Sequence, residues 1–216
     1  MENQEKIWNS IAKQWKIFRT KPIDKVKDFL KDKHGRLLDL GCGTGRNFVK
    51  FDGKIYGVDF SEEMLKHAKE FVEKNKLNIE LIKSDVSKLP FKDDFFDAAI
   101  FSAVLHCIPS KEEREKSLKE LFRVLKPGAE CWITVWDKNQ ERFKDSEKES
   151  FVPWKHEGIE YMRYYYLYDG KELVDLLKEI GFEIIKTGYG VNINANYSKK
   201  NIDVIFSKPF YSDSKK

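Results

Sequence analysis

The apolar positions of this chain follow two periods in turn. From residue 5 to about 19, Ile7, Trp8, Ile11, Trp15 and Phe18 recur at the three- and four-residue spacing of one helix face. Pro22 interrupts that pattern, and Val26, Phe29 and Leu30 resume it over a second short segment. Short apolar runs then take over, at 37–40, 54–59 and 79–82, with the length and composition of buried parallel strands. Between the second and third, Ser61 followed by Glu62 and Glu63 predicts the N-terminus of a helix reaching about residue 75. Residues 93–101 predict a turn entering a fourth strand. Ser110 predicts the cap of a helix stopped by Lys126-Pro127-Gly128, and 129–136 a fifth strand. A helix over 170–180 closed by Gly181, and strands near 182–187 and 202–207, complete the pattern. Alternating strands and helices predict an α/β fold with a parallel sheet, a helical N-terminal extension over 1–34 and an antiparallel closing strand.

Residues 138–168 break the alternation. They are charged at first and then aromatic, with Phe151, Trp154, Tyr161, Tyr164, Tyr165, Tyr166 and Tyr168. An insertion of this length exceeds ordinary connections and predicts a functional or mobile segment. Its aromatics, interleaved with Lys155, His156 and Arg163, suit either stacking on exposed bases or packing the insertion onto the sheet.

The chemistry concentrates where the first strand ends. Leu37-Leu38-Asp39-Leu40 leads into Gly41-Cys42-Gly43-Thr44-Gly45, with a helical segment expected to open at Arg46. Glycines directly after a strand permit a tight turn and a close ligand approach. The spacing is G-x-G-x-G, not the G-x-G-x-x-G of dinucleotide sites. A strand-end carboxylate beside such a loop suits a cationic amine better than a pyrophosphate, which points to S-adenosylmethionine. Asp59 ends the second strand about 20 residues after Asp39, the offset of a ribose-binding acid. Asp85 follows the third strand, so three carboxylates are expected along one sheet edge. Asp39 is expected to help place the methionine amine, and Gly41, Gly43 and Gly45 to seat the ligand against the backbone. Asp59 would accept from both ribose hydroxyls. Phe60 would cover the adenine, and Asp85 with the Val86 amide would read its edge, although an Asp here also caps turns readily.

Length, at 216 residues, fits one domain spanning 1–216. No run of roughly 18 apolar residues predicts a membrane span. Cys42, Cys107 and Cys131 lack metal-site or disulfide spacing, so no metal is expected, and a reducing, cytoplasmic setting is. Net charge is only +4, but residues 1–36 carry ten Lys or Arg against five Asp or Glu, and the tail from Ser198 carries five against two. Such surfaces suit phosphates, though solvated lysine faces give the same composition.

Taken together, Asp39 with the glycine loop, Asp59, Ser84-Asp85-Val86 and Leu125-Lys126-Pro127-Gly128 resemble the class I S-adenosylmethionine-dependent methyltransferases. The resemblance implies a Rossmann-like, seven-stranded, mostly parallel sheet with one antiparallel strand and helices on both faces. A narrower similarity rests on Ile7-Trp8-Asn9-Ser10-Ile11-Ala12, Arg19-Thr20-Lys21-Pro22, Ser102-Ala103-Val104-Leu105-His106, Phe151-Val152-Pro153-Trp154 and Arg163-Tyr164-Tyr165-Tyr166-Leu167-Tyr168. These resemble the tRNA wobble-uridine methyltransferases, which esterify 5-carboxymethyluridine in the anticodon loop. Cys107 stands where that family often has a second histidine, and Pro22-Ile23 where a Trp-Pro pair is usual. The resemblance implies tRNA as acceptor, Ala103 on the cofactor side, and a small zinc-binding activator subunit, for which the third strand would be the open sheet edge. Trp15 would close over the methionine end, while Arg19 and His106 would act on the acceptor. An acceptor carboxylate is already ionised near neutral pH, with a reference pKa near ~4, so no general base is required. The competing expectation is a methyltransferase for a small aromatic or quinone-like acceptor.

Overall fold

The computed structural model describes residues 3–190 and 201–210. Nine strands and five helices follow one another in these residues: α1 (Gln4–Phe18), α2 (Asp24–Leu30), β1 (His34–Leu40), β2 (Asp52–Asp59), α3 (Glu62–Asn75), β3 (Ile79–Lys83), β4 (Phe96–Ser102), α4 (Lys111–Val124), β5 (Leu125–Trp136), β6 (Glu149–His156), β7 (Ile159–Tyr166), α5 (Gly170–Ile180), β8 (Glu183–Gly190) and β9 (Asn201–Ser207). The caps form as the sequence predicts. The Ser61 and Ser110 hydroxyls accept from the amides of Met64 and Glu113, and Gly181 closes α5 at φ +111°. Of the basic tail, residues 198–200 and 211–216 lie outside the described residues.

Seven strands form one sheet in the order β3-β2-β1-β4-β5-β9-β8. All neighbours are parallel except β9, which runs antiparallel to β5 and β8. Alternate residues of each strand face opposite ways, so β1 and β4 feed two cores at once. Leu37, Ala98 and Ile100 pack with Val26, Phe29, Leu30 and Ala68 from α2 and α3. Leu38, Ala99 and Phe101 pack with Leu118, Leu121, Leu173 and Leu177 from α4 and α5. Helices therefore cover both faces.

The helix expected to open at Arg46 does not form. Only six residues separate Gly45 from the start of β2, fewer than two helical turns. The backbone instead makes successive tight turns, with the Gly45 amide donating to Cys42 O at 3.0 Å and that of Phe48 to Gly45 O at 3.1 Å. Phe48, 2% exposed, packs into the core facing α2 and α3.

Two additions close over the carboxyl ends of the strands. Residues 138–168 carry an antiparallel β6–β7 hairpin set apart from the main sheet. Helix α1 bridges this hairpin to the β2–α3 junction. The Tyr164 amide donates to Gln4 Oε1 at 2.9 Å and the Trp154 indole to Gln14 Oε1 at 2.7 Å. On the other side, the Ser61 hydroxyl and the Glu63 amide donate to Asn9 Oδ1 at 2.7 and 3.1 Å. Among the described residues, no helix is long and apolar enough to cross a membrane.

Candidate active site

Sheet order reverses between β1 and β4, and open α/β sheets place ligands at such a switch point, beyond the strands' carboxyl ends. A cavity of about 890 Å³ lies there, roofed by α1 and the hairpin. Of the twelve residues singled out in the sequence, ten line it: Trp15, Arg19, Gly41, Gly43, Asp59, Phe60, Asp85, Val86, Ala103 and His106. Asp39 and Gly45 do not.

The glycines differ in what they do. At Gly43 (φ +54°) an added Cβ would enter open space beneath the Trp15 indole, whose Nε1 is the nearest atom at 4.0 Å. That is a cradle for a ligand. At Gly45 (φ +82°) an added Cβ would lie 2.6 Å from the Phe48 ring. Gly45 is therefore needed for packing against Phe48, and it does not line the cavity.

Asp59, 6% exposed, is held by the loop it faces. Its Oδ2 accepts from the Gly43 amide at 2.8 Å and its Oδ1 from the Ser61 amide at 2.9 Å. Each carboxylate oxygen keeps acceptor capacity for a further donor. Asp85 is exposed and accepts from the Ser87 amide at 2.8 Å, so it makes the turn cap while also lining the cavity. Ala103 leaves β4 at φ +60°, an uncommon conformation for a residue with a Cβ.

Asp39 lies beneath the loop, 1% exposed, with Oδ2 unpaired. Burial, and then the charge of Asp59, push its carboxyl up to about 8. Burial also raises Asp59 to about 6, against the pull of the Ser61, Gly43 and Phe60 amides. A buried carboxylate without a partner is costly, and a ligand ammonium supplies the missing charge. The orphaned Oδ2, the cradle at Gly43 and the Asp59 acceptors fit the amino-acid and ribose parts of S-adenosylmethionine.

This predicts a pH dependence. With folded-state values above the usual carboxylate range, the empty protein holds more protons than its unfolded chain, and loses stability as pH rises from about 4 to 8. A cation seated near Asp39 favours its ionised form, so binding expels a proton below about pH 8. Affinity for S-adenosylhomocysteine should rise between pH 6 and 8 and then level off, and the rise should vanish in Asp39→Asn. Calorimetry in buffers of different ionisation enthalpy reads the released proton directly; affinity flat across this range in the unmodified protein would reject the coupling.

At the far end of the cavity, three elements converge on His106. It sits in a 3-10 turn, Leu105–Cys107, 1% exposed, with neither ring nitrogen hydrogen-bonded. Its ring stacks at 5.3 Å on Trp136 and 5.4 Å on Tyr165, which stack on each other at 4.0 Å. Burial, then the charges of Arg142 and Arg163, hold its pKa down to about 3, so the imidazole is neutral. The sequence set His106 and Arg19 together on the acceptor side, and both line the cavity; the cations whose charge reaches His106 are Arg142 and Arg163.

Arg163 is 5% exposed. Its Nη1 donates to the Tyr165 hydroxyl at 2.7 Å, and its Nε has no partner. The guanidinium lies 4.9 Å from the Trp154 ring, 5.3 Å from Tyr165, 5.7 Å from Trp15 and 5.9 Å from Trp8. Among the described residues no carboxylate forms an ion pair with it. Aromatic faces offset part of the cost of burying this charge, but not the absent counterion. The sequence offered Arg163 only as one cation among the insertion's aromatics. Its register opposite Val152 is what turns it into the cavity. The aromatics of this segment divide: Tyr164 and Tyr168 are buried packing, Tyr165 is buried and lines the cavity together with Trp154, and Phe151 is exposed. Among the described residues no cluster of His, Cys, Asp or Glu is arranged to hold a metal.

Comparison with known proteins finds methyltransferases. Residues 38–133, from β1 to β5, match the family described as methyltransferase domain. A tRNA (carboxymethyluridine(34)-5-O)-methyltransferase from Arabidopsis thaliana is 32% identical over 140 residues, 63% of this chain and 33% of the relative. The chain spans about a third of the length of the first curated relatives it matches. Among solved structures, a SAM-dependent methyltransferase from Aquifex aeolicus is 25% identical, with TM-score 0.66 over 92% of this chain and 97% of that one. The methyltransferase solved with the Haloferax volcanii Trm112 activator has TM-score 0.71 over 97% of each chain at 15% identity, a likeness of fold.

Proposed function

We propose that this chain, which belongs to the class I S-adenosylmethionine-dependent methyltransferases, esterifies a carboxylate carried by a nucleobase, 5-carboxymethyluridine at the wobble position of tRNA. One observation carries the reading: Arg163 is a buried cation without a counterion, aimed into the acceptor end of the cavity beside a neutral histidine. An acceptor carboxylate completes that pair. A neutral aromatic or quinone-like acceptor would leave the charge stranded, which is why the small-molecule alternative fits less well.

Bound S-adenosylmethionine supplies a methyl group on a sulfonium, already activated for displacement by a carboxylate oxygen. The chain's own work is therefore alignment and exclusion of water. Asp59 holds the ribose and Asp39 the amine, while Phe60, Asp85 and Val86 surround the adenine. Arg163 anchors one carboxylate oxygen through its unpaired Nε and leaves the other free to attack. Neutral His106 donates one hydrogen bond without adding charge. This matters, because a second full positive charge would hold the carboxylate too tightly to react. Trp15 and Trp154 flank the entrance as faces for the pyrimidine and a neighbouring base.

In this reading α1 and the 138–168 hairpin together make the acceptor site. The Arabidopsis relative is named for this reaction. A protein partner is part of the proposal. Among the described residues, strand β3 ends the sheet and pairs only with β2, leaving one edge of its backbone open to strand addition. The Haloferax methyltransferase of the same fold was solved with an activator. Nucleoside mass spectrometry of tRNA from a strain lacking the gene should show 5-carboxymethyluridine accumulating at the expense of its methyl ester. Unchanged ester levels would reject the acceptor.

A further inference from the structure

Strand β7 turns two different sets of side chains to its two faces. Arg163 and Tyr165 line the cavity, and the alternate residues Tyr164 and Tyr166 turn to the opposite side. There they meet Arg114, which lies in the first turn of α4 and is 5% exposed. Its guanidinium lies 4.0 Å from the Tyr166 ring, and its Nη1 donates to the Tyr164 hydroxyl at 3.5 Å. The same nitrogen donates to the carbonyls of Ile108 and Pro109 at 2.8 and 3.1 Å. Those two residues directly follow the turn that carries His106, and they line the cavity.

A cation is a costly choice at this position. The first turn of a helix is the positive end of its dipole, and burial adds to the cost. Among the described residues no carboxylate forms an ion pair with Arg114, because the nearby acids of α4 are engaged elsewhere. Glu112 accepts from the Ser110 hydroxyl at 2.6 Å, and Glu113 and Glu115 pair with Lys116 and Lys111, each at 3.7 Å. What the guanidinium makes is a junction, with two loop carbonyls on one side and two tyrosines of β7 on the other. On the cavity face of the same strand, the His106 ring lies 5.4 Å from Tyr165, whose hydroxyl accepts from Arg163 at 2.7 Å. The histidine turn thus holds β7 from both faces.

We infer that Arg114 is a positioning residue for methyl transfer, fixing His106 and Arg163 in register with each other. Arg114 itself does not line the cavity, so it acts through that pair. The inference rests on the acceptor reading above.

A double-mutant cycle tests it, with initial rates of methyl transfer to tRNA from a strain lacking the gene. Arg114→Lys keeps the charge but not the planar group that lies on Tyr166. It should lower kcat by about 10- to 100-fold, the size of a small misalignment of reacting groups. KM for tRNA should stay within about 2-fold, because the acceptor still binds and only its alignment is lost. Unchanged affinity for S-adenosylhomocysteine shows that the variant is folded. In the Arg163→Met background the same substitution should cost less than about 2-fold further, since the register it maintains no longer has an anchor to hold. Tyr166→Leu, which removes the ring beneath the guanidinium and keeps Arg114, should give the same pattern, so a poorly folded Arg114 variant does not decide the matter. Losses that multiply with that of Arg163→Met would overturn the inference, because Arg114 would then act independently of the pair. Full activity of Arg114→Lys, or a parallel loss of S-adenosylhomocysteine affinity, would overturn it as well. These outcomes leave the acceptor reading standing. Full activity of Arg163→Met alone would instead defeat that reading, and the inference with it.

Discussion

Replacing Arg163 with Met should reduce kcat/KM for the carboxylate acceptor by about two to three orders of magnitude while leaving the fold as stable as before, or more so. Truncating one partner of a buried charge pair costs about 2–5 kcal/mol of binding, most of it from the charge left unpaired. At about 1.4 kcal/mol per decade this reaches the stated loss. Stability moves the other way because the unliganded protein holds the guanidinium 5% exposed with no acid beside it. An apolar side chain of similar length keeps contact with Trp154, Trp8 and Trp15 and removes the desolvated charge. Cofactor affinity should not change. Steady-state kinetics, calorimetry with S-adenosylhomocysteine and thermal melting together decide the matter. Retained activity would remove Arg163 from the acceptor site. A parallel loss of cofactor binding would move it to the other end of the cavity.

Substitution of Asp59 with Ala should weaken S-adenosylmethionine by about 1.5–3 kcal/mol, roughly 10- to 150-fold, as expected for hydrogen bonds to an ionised acceptor. The geometry adds a second consequence. Asp59 accepts from Gly43, which shapes the loop, and from Ser61, which is fully buried at the start of α3. Leaving the Ser61 amide unsatisfied costs about 1–3 kcal/mol of stability. Affinity should therefore be measured at low temperature, with circular dichroism confirming the fold. An affinity equal to that of the unmodified protein would place the ribose elsewhere.

How much of this was legible before the structure depends on whether a feature is local. The loop from Gly41 to Gly45, the acids Asp59 and Asp85, and the caps at Ser61 and Ser110 depend on neighbours within a few residues. All fall where the pattern puts them. The missing helix after Gly45 was also a local matter, since six residues cannot make a helix and return to a parallel strand. Chain length decided the outcome. The acceptor end was not legible, because no short window contains it. His106 from the β4 exit, Trp136 from the end of β5 and Tyr165 from β7 meet only through the fold. Arg163 became a cavity residue through the pairing of β7 with β6 and the packing of α1 across both. The insertion was equally suited to stacking or packing, and strand alternation gives it both roles. Tyr164 and Tyr165 point to opposite sides of β7, Tyr164 into packing and Tyr165 into the cavity that Trp154 on β6 also lines.

The central claim is that the methyl group goes to a carboxylate oxygen on RNA. It is tested most directly by incubating the purified chain with radiolabelled S-adenosylmethionine and tRNA from a deletion strain. A soluble extract of that strain supplies any protein partner. The account predicts label on 5-carboxymethyluridine, released as methanol by mild alkali because an ester is formed, and an initial labelling rate about two to three orders of magnitude lower when Arg163→Met replaces the unmodified chain. Label that survives alkali, or that resides on a nucleoside without a carboxylate, would contradict it.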